Sequence, residues 1–168
     1  LHLSIRRQRQ MCIRDSYGTL HLEDRTTTPF DPAWVLRWDH FDPASEGTRE
    51  VLCTLANGYW GTRGAVPGTR ISSVHYPGTY MAGVFNRLTS MVQGRVVDTE
   101  HMVNIQDWTP LVVTPRHGRP LLPGEENLVE YGQEMDLRRG VLSRTMTFED
   151  AQGRRTTLHT RQFTSLAN

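Results

Sequence analysis

Near its C-terminal end the chain alternates between apolar and polar residues, and this pattern restricts the fold more than any other feature. In residues 140–150, Leu142, Met146 and Phe148 fall on one face of a strand, while serine and threonine fall on the other. Residues 155–163 follow after the turn sequence AQGR. Because a two-residue period indicates a half-buried strand, the two segments predict an antiparallel β-hairpin.

Other segments predict further strands. Residues 34–41 alternate, with Trp34, Leu36 and Trp38 on one face. Residues 79–86 are apolar on both faces, as expected for an inner strand of a layered sheet. The remaining strand candidates are residues 95–105 and 110–114.

Residues 48–56 are open to two interpretations. As a short helix they would share one apolar face and begin at a capping threonine. A short strand is the alternative. The helical interpretation uses Val51, Leu52 and Leu55 on the apolar face, Thr48 at the cap and Gly58 just beyond the end.

The composition agrees with one all-β domain. The 168 residues include 14 glycines and 9 prolines, which suits short strands joined by many turns. No apolar run approaches the roughly 18 residues that a membrane helix needs. We therefore predict an all-β fold, an antiparallel β-sandwich with at most one or two short helices, and no membrane partner.

The charges and cysteines predict no partner and no metal. The net charge is +1, and all 19 basic residues are arginines, most of them scattered. An Arg-rich nucleic-acid binder stays open as an alternative that steep salt dependence would identify, but the charge balance predicts no nucleic-acid partner. Cys12 and Cys53 match no zinc or redox spacing. We predict two free thiols, no disulfide and no metal site.

The first sixteen residues differ from the rest. Residues 1–16 contain four arginines and one aspartate, without strand alternation or a helical stripe. They also lack the apolar core of a signal peptide. We expect a non-native or disordered leader without function, and, since no signal peptide is seen, a cytoplasmic location.

No complete catalytic motif occurs in the sequence. The patterns GxSxG, HExxH, GxGxxG and the P-loop are all missing. The adjacent carboxylates Glu125–Glu126 and Glu149–Asp150 would point apart on a strand or in a loop, so we interpret them as solvated charge. The sequence therefore predicts no catalytic residue.

Residues 57–64, NGYWGTRG, are the one segment that suggests a binding site. Glycines recur every three residues and permit positive φ and a close approach of the backbone. The aromatic rings between them suit the apolar faces of sugar rings, and the arginine can donate several hydrogen bonds. The segment is either a structural turn or a ligand-lining loop. Its candidate site residues are Asn57, Gly58, Tyr59, Trp60, Gly61, Arg63 and Gly64.

Five longer motifs occur in a fixed order along the chain: REVLCTLANGYWGTRGA (49–65), YPGTYMAGVFN (76–86), MVNIQDW (102–108), MDLRRGVLSRTMTF (135–148) and RQFTSLA (161–167). Their order and spacing resemble the N-terminal domain of glycoside hydrolase family 65. That family includes maltose, trehalose and kojibiose phosphorylases and acid trehalases. The resemblance covers about residues 25–168, with one departure at Trp60, where many members have leucine.

The resemblance implies a galactose-mutarotase-like β-sandwich followed by a helical linker and an (α/α)6 barrel. The barrel carries the catalytic glutamate and the phosphate site. Residues 25–168 would then be an incomplete N-terminal domain that lacks the barrel and is itself inactive. Tyr59, Trp60 and Arg63 would lie at the barrel contact or at the rim of the pocket.

The implied function is that of the N-terminal part of an inverting α-glucoside phosphorylase or hydrolase acting on disaccharides such as maltose, trehalose or kojibiose. No cofactor is expected, although inorganic phosphate would be the co-substrate of a phosphorylase. The expected partners are the disaccharide, the catalytic barrel and a second copy in a homodimer. A stand-alone carbohydrate-binding β-sandwich is the alternative. The choice between phosphorylase and hydrolase lies in barrel residues.

An incomplete sandwich should also leave sheet edges open and apolar faces uncovered. The faces expected to be uncovered are Trp34, Leu36 and Trp38 on one strand and Leu142, Met146 and Phe148 on another.

Overall fold

The computed structural model describes residues 32–116, 118–124 and 127–166. The chain divides into two compact units, and Val35–Thr164 is the larger. Of the smaller unit, the structure describes only a single 3-10 turn at Pro32–Trp34 and residues 165–166. The leader and Cys12 lie outside the described residues, as do Glu125 and Glu126, so the predictions made for them are not tested.

The larger unit is built almost entirely from antiparallel strands. A four-stranded sheet has the order β1-β7-β8-β9, a three-stranded sheet has the order β2-β3-β4, and β5 and β6 form a separate hairpin. One helix, α1, accompanies them. The elements are β1 (Val35–Trp38), α1 (Glu46–Leu52), β2 (Leu55–Ala56), β3 (Trp60–Thr62), β4 (Thr79–Met81), β5 (Phe85–Val92), β6 (Arg95–Met102), β7 (Leu128–Asp136), β8 (Val141–Glu149) and β9 (Arg155–Phe163).

The predicted C-terminal hairpin is confirmed as β8 and β9. Its register pairs Val141 with Phe163 and Glu149 with Arg155, and the turn contains Gly153 at φ 76°. Along β8 the residues on one face are buried, as their alternation predicts. This face of the sheet forms one side of the hydrophobic core.

Two clusters of apolar side chains lie on this face of the sheet. In the first cluster, Tyr131, Met146 and Phe148 of the sheet pack with Val66 and Leu121 from loops. In the second, Met135 and Leu142 of the sheet pack with Cys53 and Leu55, which follow α1; Leu36 and Trp38 of β1 lie against them. The two layers make the chain an all-β sandwich.

The first predicted strand is shorter than its sequence pattern. Strand β1 begins at Val35, because Trp34 belongs to the 3-10 turn that starts at Pro32. The alternation is right for Leu36 and Trp38, which pack against the core, but Trp34 is exposed.

The helical interpretation of residues 48–56 is right only as far as Leu52, because α1 ends there and Leu55–Ala56 form strand β2. The buried face of the helix is also not the predicted one. Val51 and Leu52 are 49% and 52% exposed. The buried side chains of α1 are charged, and each finds a partner, as described below. The N-cap is Ser45 rather than Thr48, and it makes no side-chain cap hydrogen bond. The buried charged residues are Glu46, Arg49 and Glu50.

The segments at 79–86 and 110–114 depart further from prediction, whereas residues 95–105 form the predicted strand over Arg95–Met102. The first is split by a turn at residues 82–83 into β4 and the start of β5, and β5 is exposed along its whole length. The strand at Arg95–Met102 is β6, which is also exposed throughout. Residues 110–114 form no strand, although the Val113 carbonyl accepts from the Leu121 N–H at 2.9 Å and the Leu111 N–H donates to the Thr109 carbonyl at 2.7 Å.

Strand β7 is an inner strand of the four-stranded sheet, and sequence patterning missed it. It buries Tyr131, Gln133 and Met135 on the core face. A buried glutamine interrupts the apolar alternation, so the period of two residues is hidden.

The expectation of uncovered apolar faces is wrong for β8, because Leu142, Met146 and Phe148 are at most 2% exposed. Uncovered apolar surface occurs instead on the β5–β6 hairpin. Within the described residues, no helix is long and apolar enough to cross a membrane.

Candidate functional site

The turn that opens the candidate segment is built by Asn57. Its side-chain oxygen accepts hydrogen bonds from the backbone N–H groups of Tyr59 (3.0 Å) and Trp60 (2.8 Å). The Asn57 N–H in turn donates to the Trp60 carbonyl at 3.0 Å. Gly58 takes φ 85°, a conformation that side chains rarely adopt. Asn57 and Gly58 therefore shape the chain so that Tyr59 projects outward.

An aromatic surface lies on one face of the β2-β3-β4 sheet. Both indoles, of Trp60 and Trp108, donate to the Thr62 hydroxyl oxygen, at 3.0 and 2.9 Å. Met81 lies opposite Trp60 in the register, and the Tyr59 hydroxyl donates to its sulfur at 3.5 Å. We call Tyr59, Trp60, Met81 and Trp108 the aromatic platform. Tyr59 and Trp108 are about half exposed, at 54% and 51%, so their rings are open to a partner.

Arg63 lies on the opposite face of the same sheet. Side chains alternate along a strand, so Arg63 points away from Thr62. Its guanidinium stacks over the Tyr76 ring at 5.0 Å and donates to the Tyr76 carbonyl at 3.3 Å. Gly78 leaves the space for this arrangement, since a Cβ there would lie 2.9 Å from the Arg63 side chain. The structure thus separates Arg63 from Tyr59 and Trp60, although the sequence places them together.

Gly64 belongs to the interior. A Cβ on Gly64 would lie 2.4 Å from the Cβ of Cys53, so no side chain fits there. Its N–H donates to the Glu50 carbonyl at 2.8 Å, and its carbonyl accepts from Arg144. Of the predicted residues, Gly64 is thus an anchor for the segment, while Gly61 lies half-buried in β3 opposite Tyr80.

A network of buried polar side chains connects residues 57–64 to the four-stranded sheet by hydrogen bonds. Arg144 of β8, only 2% exposed, donates to the Gly64 carbonyl and, at 2.9 Å, to the Gln133 side-chain oxygen. The Tyr131 hydroxyl donates to the same oxygen at 2.7 Å, and the Gln133 amide donates to the Cys53 sulfur at 3.3 Å. These bonds join the four-stranded sheet to the candidate segment.

Burial shifts the ionisation of this network. Loss of water lowers the pKa of Arg144 and raises the pKa of Tyr131 to about 12. Burial also raises the pKa of the Cys53 thiol. Cys53 is therefore an inert, free thiol rather than a nucleophile.

Glu50 ties α1 to the loop that carries Tyr76. One carboxylate oxygen contacts His75 Nδ1 at 2.8 Å, and the other accepts from the Tyr76 N–H at 2.8 Å. The neighbouring Arg49 donates to Glu46 at 3.1 Å and to the His40 carbonyl at 2.7 Å. Buried charges that are paired in this way fix the position of α1 and of the loop.

Sequence reasoning missed most of this support. Trp108 sits in the MVNIQDW motif, and Arg144 falls on the apolar face of the predicted hairpin. A charged residue at a core position of an alternating strand is the signal that could have identified Arg144. The missed residues are Thr62, Trp108, Glu50, His75, Gln133 and Arg144.

A separate open cleft of about 620 Å³ lies between the segment at 39–43 and the start of β7. Its lining includes Asp39, Phe41 and Glu130, and it contains none of the predicted site residues. Over the part of the chain that the structure describes, no three His, Cys, Asp or Glu side chains are grouped to hold a metal ion.

Comparison with known proteins gives a consistent result. The family model for the glycosyl hydrolase family 65 N-terminal domain matches residues 36–168. An uncharacterized glycosyl hydrolase of Mycobacterium tuberculosis is 42% identical over 136 residues, which are 81% of this chain and 10% of that protein. The kojibiose phosphorylase of Caldanaerobacter subterraneus subsp. tengcongensis is 31% identical over 144 residues, covering 82% of this chain and 17% of that protein.

A solved structure supports the fold. A putative kojibiose phosphorylase from human microbiome superposes with a TM-score of 0.70 at 20% identity, over 82% of this chain and 18% of that one. The chain therefore spans less than a fifth of the length of these relatives. The match over residues 36–168 shows that the chain belongs to glycoside hydrolase family 65, whose N-terminal domain it represents.

Proposed function

We propose that the chain acts as the N-terminal domain of an inverting α-glucoside phosphorylase or hydrolase. The family match carries this proposal, and relatives named as kojibiose phosphorylases support an α-linked disaccharide as the substrate class. In such an enzyme an acid protonates the glycosidic oxygen while phosphate or activated water attacks the opposite face of the sugar. Phosphate would be the co-substrate of the phosphorylase form.

Among the described residues, the one carboxyl group with a raised pKa, that of Glu46, does not suit the acid that this reaction needs. An acid for glycosidic cleavage must be held near its substrate with a raised pKa. Burial raises the pKa of Glu46, but its carboxylate faces Arg49 inside the core, where no disaccharide fits. Asp39 is solvent-exposed, and its hydrogen bond with His40 lowers its pKa. Neither group suits the role, which supports catalysis by a domain outside this chain.

The aromatic platform is the surface proposed to meet the rest of the enzyme or the rim of its pocket. Tyr59 and Trp108 expose ring surface that would gain from burial against protein or against the apolar face of a sugar. Thr62 holds both indoles in place, so little side-chain entropy would be lost on contact. Arg63 would act indirectly, through Tyr76, from the other face of the sheet.

The test compares the complete gene product that contains this chain with the 168-residue chain alone. Both are incubated with maltose, trehalose or kojibiose, with and without inorganic phosphate. The complete product should release glucose 1-phosphate or glucose, and the isolated chain should release neither. Sugar release by the isolated chain above a no-protein control would overturn the proposal.

A stand-alone carbohydrate-binding sandwich is the second candidate, and the half-exposed aromatic platform is the observation that favours it. Titration of the isolated chain with each disaccharide, followed by tryptophan fluorescence, distinguishes the two. A binding module should show saturable quenching that Tyr59→Ala weakens and Tyr76→Ala, on the other face, leaves unchanged. No quenching by any of the three sugars would remove this candidate.

A further inference from the structure

Arg63 presents an unused hydrogen-bonding edge on the face of the β2-β3-β4 sheet that is opposite the aromatic platform. Its Nη1 donates to the Tyr76 carbonyl, and its guanidinium makes no other hydrogen bond among the described residues. The Nε–H and the Nη2 group, which lie on the same edge of the guanidinium plane, therefore stay open. Such an edge matches two oxygens of one carboxylate or phosphate group.

The charge of Arg63 also has no acidic partner within the part of the chain that the structure describes. Arg37 and Arg87 each form an ion pair with a glutamate at 2.6 Å, whereas Arg63 forms none. Glu50, which holds the loop at Tyr76, is fully buried, and its two oxygens already contact a histidine and the Tyr76 N–H. An anion that binds Arg63 would therefore displace no acidic side chain.

Neighbouring groups hold the guanidinium in one position. It stacks over the Tyr76 ring at 5.0 Å from the ring centroid, a cation–π contact. Asn104 fixes the loop that follows, because its amide donates to the Pro77 carbonyl at 3.2 Å and its oxygen accepts from the Thr79 N–H at 2.9 Å. Arg63 is thus held in place before a ligand arrives, and little side-chain entropy would be lost on binding.

Gly78 makes room for a second donor beside Arg63. The Tyr80 hydroxyl oxygen and the Arg63 Cδ lie 2.8 and 2.9 Å from one point, the position that a Cβ of Gly78 would take. Gly78 has no positive φ, so the space and not the backbone conformation accounts for the glycine. The Tyr80 hydroxyl has no hydrogen-bond partner among the described residues, and it can donate to an anion next to Arg63.

We propose that Arg63 and Tyr80 form a binding site for a small ligand that carries an oxyanion, a carboxylate or a phosphate group. Two oxygens of the anion bind the Nε–H and Nη2 edge of Arg63, and the Tyr80 hydroxyl donates to the same group. The Tyr76 ring, which is 45% exposed, offers an apolar surface to the rest of the ligand. The proposal does not rest on the proposed function, because it concerns ligand binding by the 168-residue chain itself.

Titration of the isotope-labelled chain, followed by NMR, tests the site. The probes are inorganic phosphate, glucose 6-phosphate, glucuronate and neutral glucose, at constant ionic strength because salt screens exposed charges. The three anions should shift the backbone amide signals of residues 63 and 76–80 saturably, with a Kd of about 1 mM, and glucose should not. No saturable shift with any of the three anions would refute the proposal.

The same titrations identify the source of the anion. Tighter binding of glucose 6-phosphate or glucuronate than of inorganic phosphate would support a sugar derivative that also contacts the Tyr76 ring. The reverse order would support the free ion, bound by Arg63 and Tyr80 alone. Equal shifts with neutral glucose would contradict recognition of an oxyanion.

Two matched lysine variants separate the geometry of the guanidinium from its charge. Arg63→Lys keeps the positive charge but loses the planar edge, so binding should weaken at least ~10-fold, about 1.4 kcal/mol. Arg87→Lys makes the same change on the exposed β5–β6 hairpin, where Glu100 is the partner, and should leave binding unchanged. Undiminished binding by Arg63→Lys would mean that charge alone attracts the anion, against the proposed site.

Two further variants test the second donor. Gly78→Ala places a Cβ between Arg63 and Tyr80, and Tyr80→Phe removes only the hydroxyl; each should weaken binding ~5-fold or more, as the loss of a hydrogen bond. Gly132→Ala is the control, because nothing lies within 4 Å of a Cβ there, and it should bind like the wild type. Circular dichroism shows that each variant is folded. Wild-type affinity in Tyr80→Phe would exclude Tyr80 from the site, whether or not Gly78→Ala folds.

Discussion

At the scale of single residues, Gly64 shows how one backbone position holds the candidate segment. Its carbonyl accepts from the buried Arg144, its N–H donates to Glu50, and its missing side chain lets Cys53 approach. The conformational freedom of glycine is not what this position needs. It needs the absence of a Cβ, because the α1 end and the segment touch there.

Gly64→Ala should destabilise the domain by about 2–3 kcal/mol, since the new Cβ would lie 2.7 Å from the Cys53 carbonyl oxygen as well as against its Cβ. Urea unfolding followed by circular dichroism measures this change. Gly47→Ala is the control, because nothing lies within 4 Å of a Cβ there and alanine favours a helix. The control should be neutral or stabilising by up to about 1 kcal/mol.

The buried Glu46 carboxyl should give stability a distinct pH dependence. Burial raises its pKa above the usual value of 4.5, although Arg49, His75 and Arg144 oppose the shift and Glu50 adds to it. Above pH 4.5 the folded state then binds more protons than the unfolded state, so the free energy of unfolding falls as the pH rises through the pKa of Glu46.

Glu46→Gln isolates this contribution. The difference in unfolding free energy, wild type minus variant, should fall from pH 4.5 upward and level off above the pKa of Glu46. Exposed carboxyls with lowered pKa values act at lower pH and in both proteins, so they cancel in the difference. A difference that rises with pH over this window would contradict the assignment.

At the scale of elements, the three-stranded sheet is held together by motifs that are distant in sequence. Thr62 of β3 accepts from Trp108, which lies 46 residues further along the chain. The Asn104 side-chain oxygen accepts from the Thr79 N–H of β4 at 2.9 Å, and Thr79 accepts from the Ile105 N–H at 2.8 Å. Three of the motifs that carry the family resemblance therefore form one unit around the aromatic platform.

Thr62→Val should loosen this unit. Valine has the shape of threonine but cannot accept from the two indoles, so the loss should be about 1–2 kcal/mol of unfolding free energy. Tryptophan emission should also shift to the red as the indoles gain contact with water. Thr99→Val, on the exposed hairpin, is the control and should change neither quantity. Unchanged tryptophan emission in Thr62→Val would contradict the conclusion that Thr62 holds both indoles in place.

At the scale of the whole molecule, the core side chains of β7 and β8 and their contacts should contribute most to the free energy of unfolding. Leu142 is fully buried between Met135, Cys53 and Leu55, so Leu142→Ala should cost about 2–5 kcal/mol. Leu137→Ala makes the same change in an exposed turn and should stay within about 0.5 kcal/mol. Denaturant unfolding of both variants tests this. Comparable losses would mean that the core does not centre on this sheet.

The fold class and the most regular local elements follow from the amino-acid sequence alone. The β8–β9 hairpin could be predicted because its apolar alternation is local and its turn residues lie directly between the two strands in the sequence. The family could also be identified from the sequence, since its motifs are long and occur in a fixed order. The candidate segment was found by its glycine spacing and its aromatic residues. The structure shows a tight turn at Asn57 and Gly58, and a role of the segment in binding stays a prediction.

Which side chains share a surface depends on contacts between segments that are distant in sequence. In the folded chain Arg63 lies on the face of the sheet opposite Trp60, and the charged face of α1 is buried. Strand β7 buries Gln133 on its core face, so its apolar alternation is not visible in the sequence. A local pattern cannot show these outcomes, because a buried charge or amide is tolerated only where a distant chain segment supplies its partner. Those partners, such as Arg144 for Gly64 and His75 for Glu50, meet only when the chain has folded.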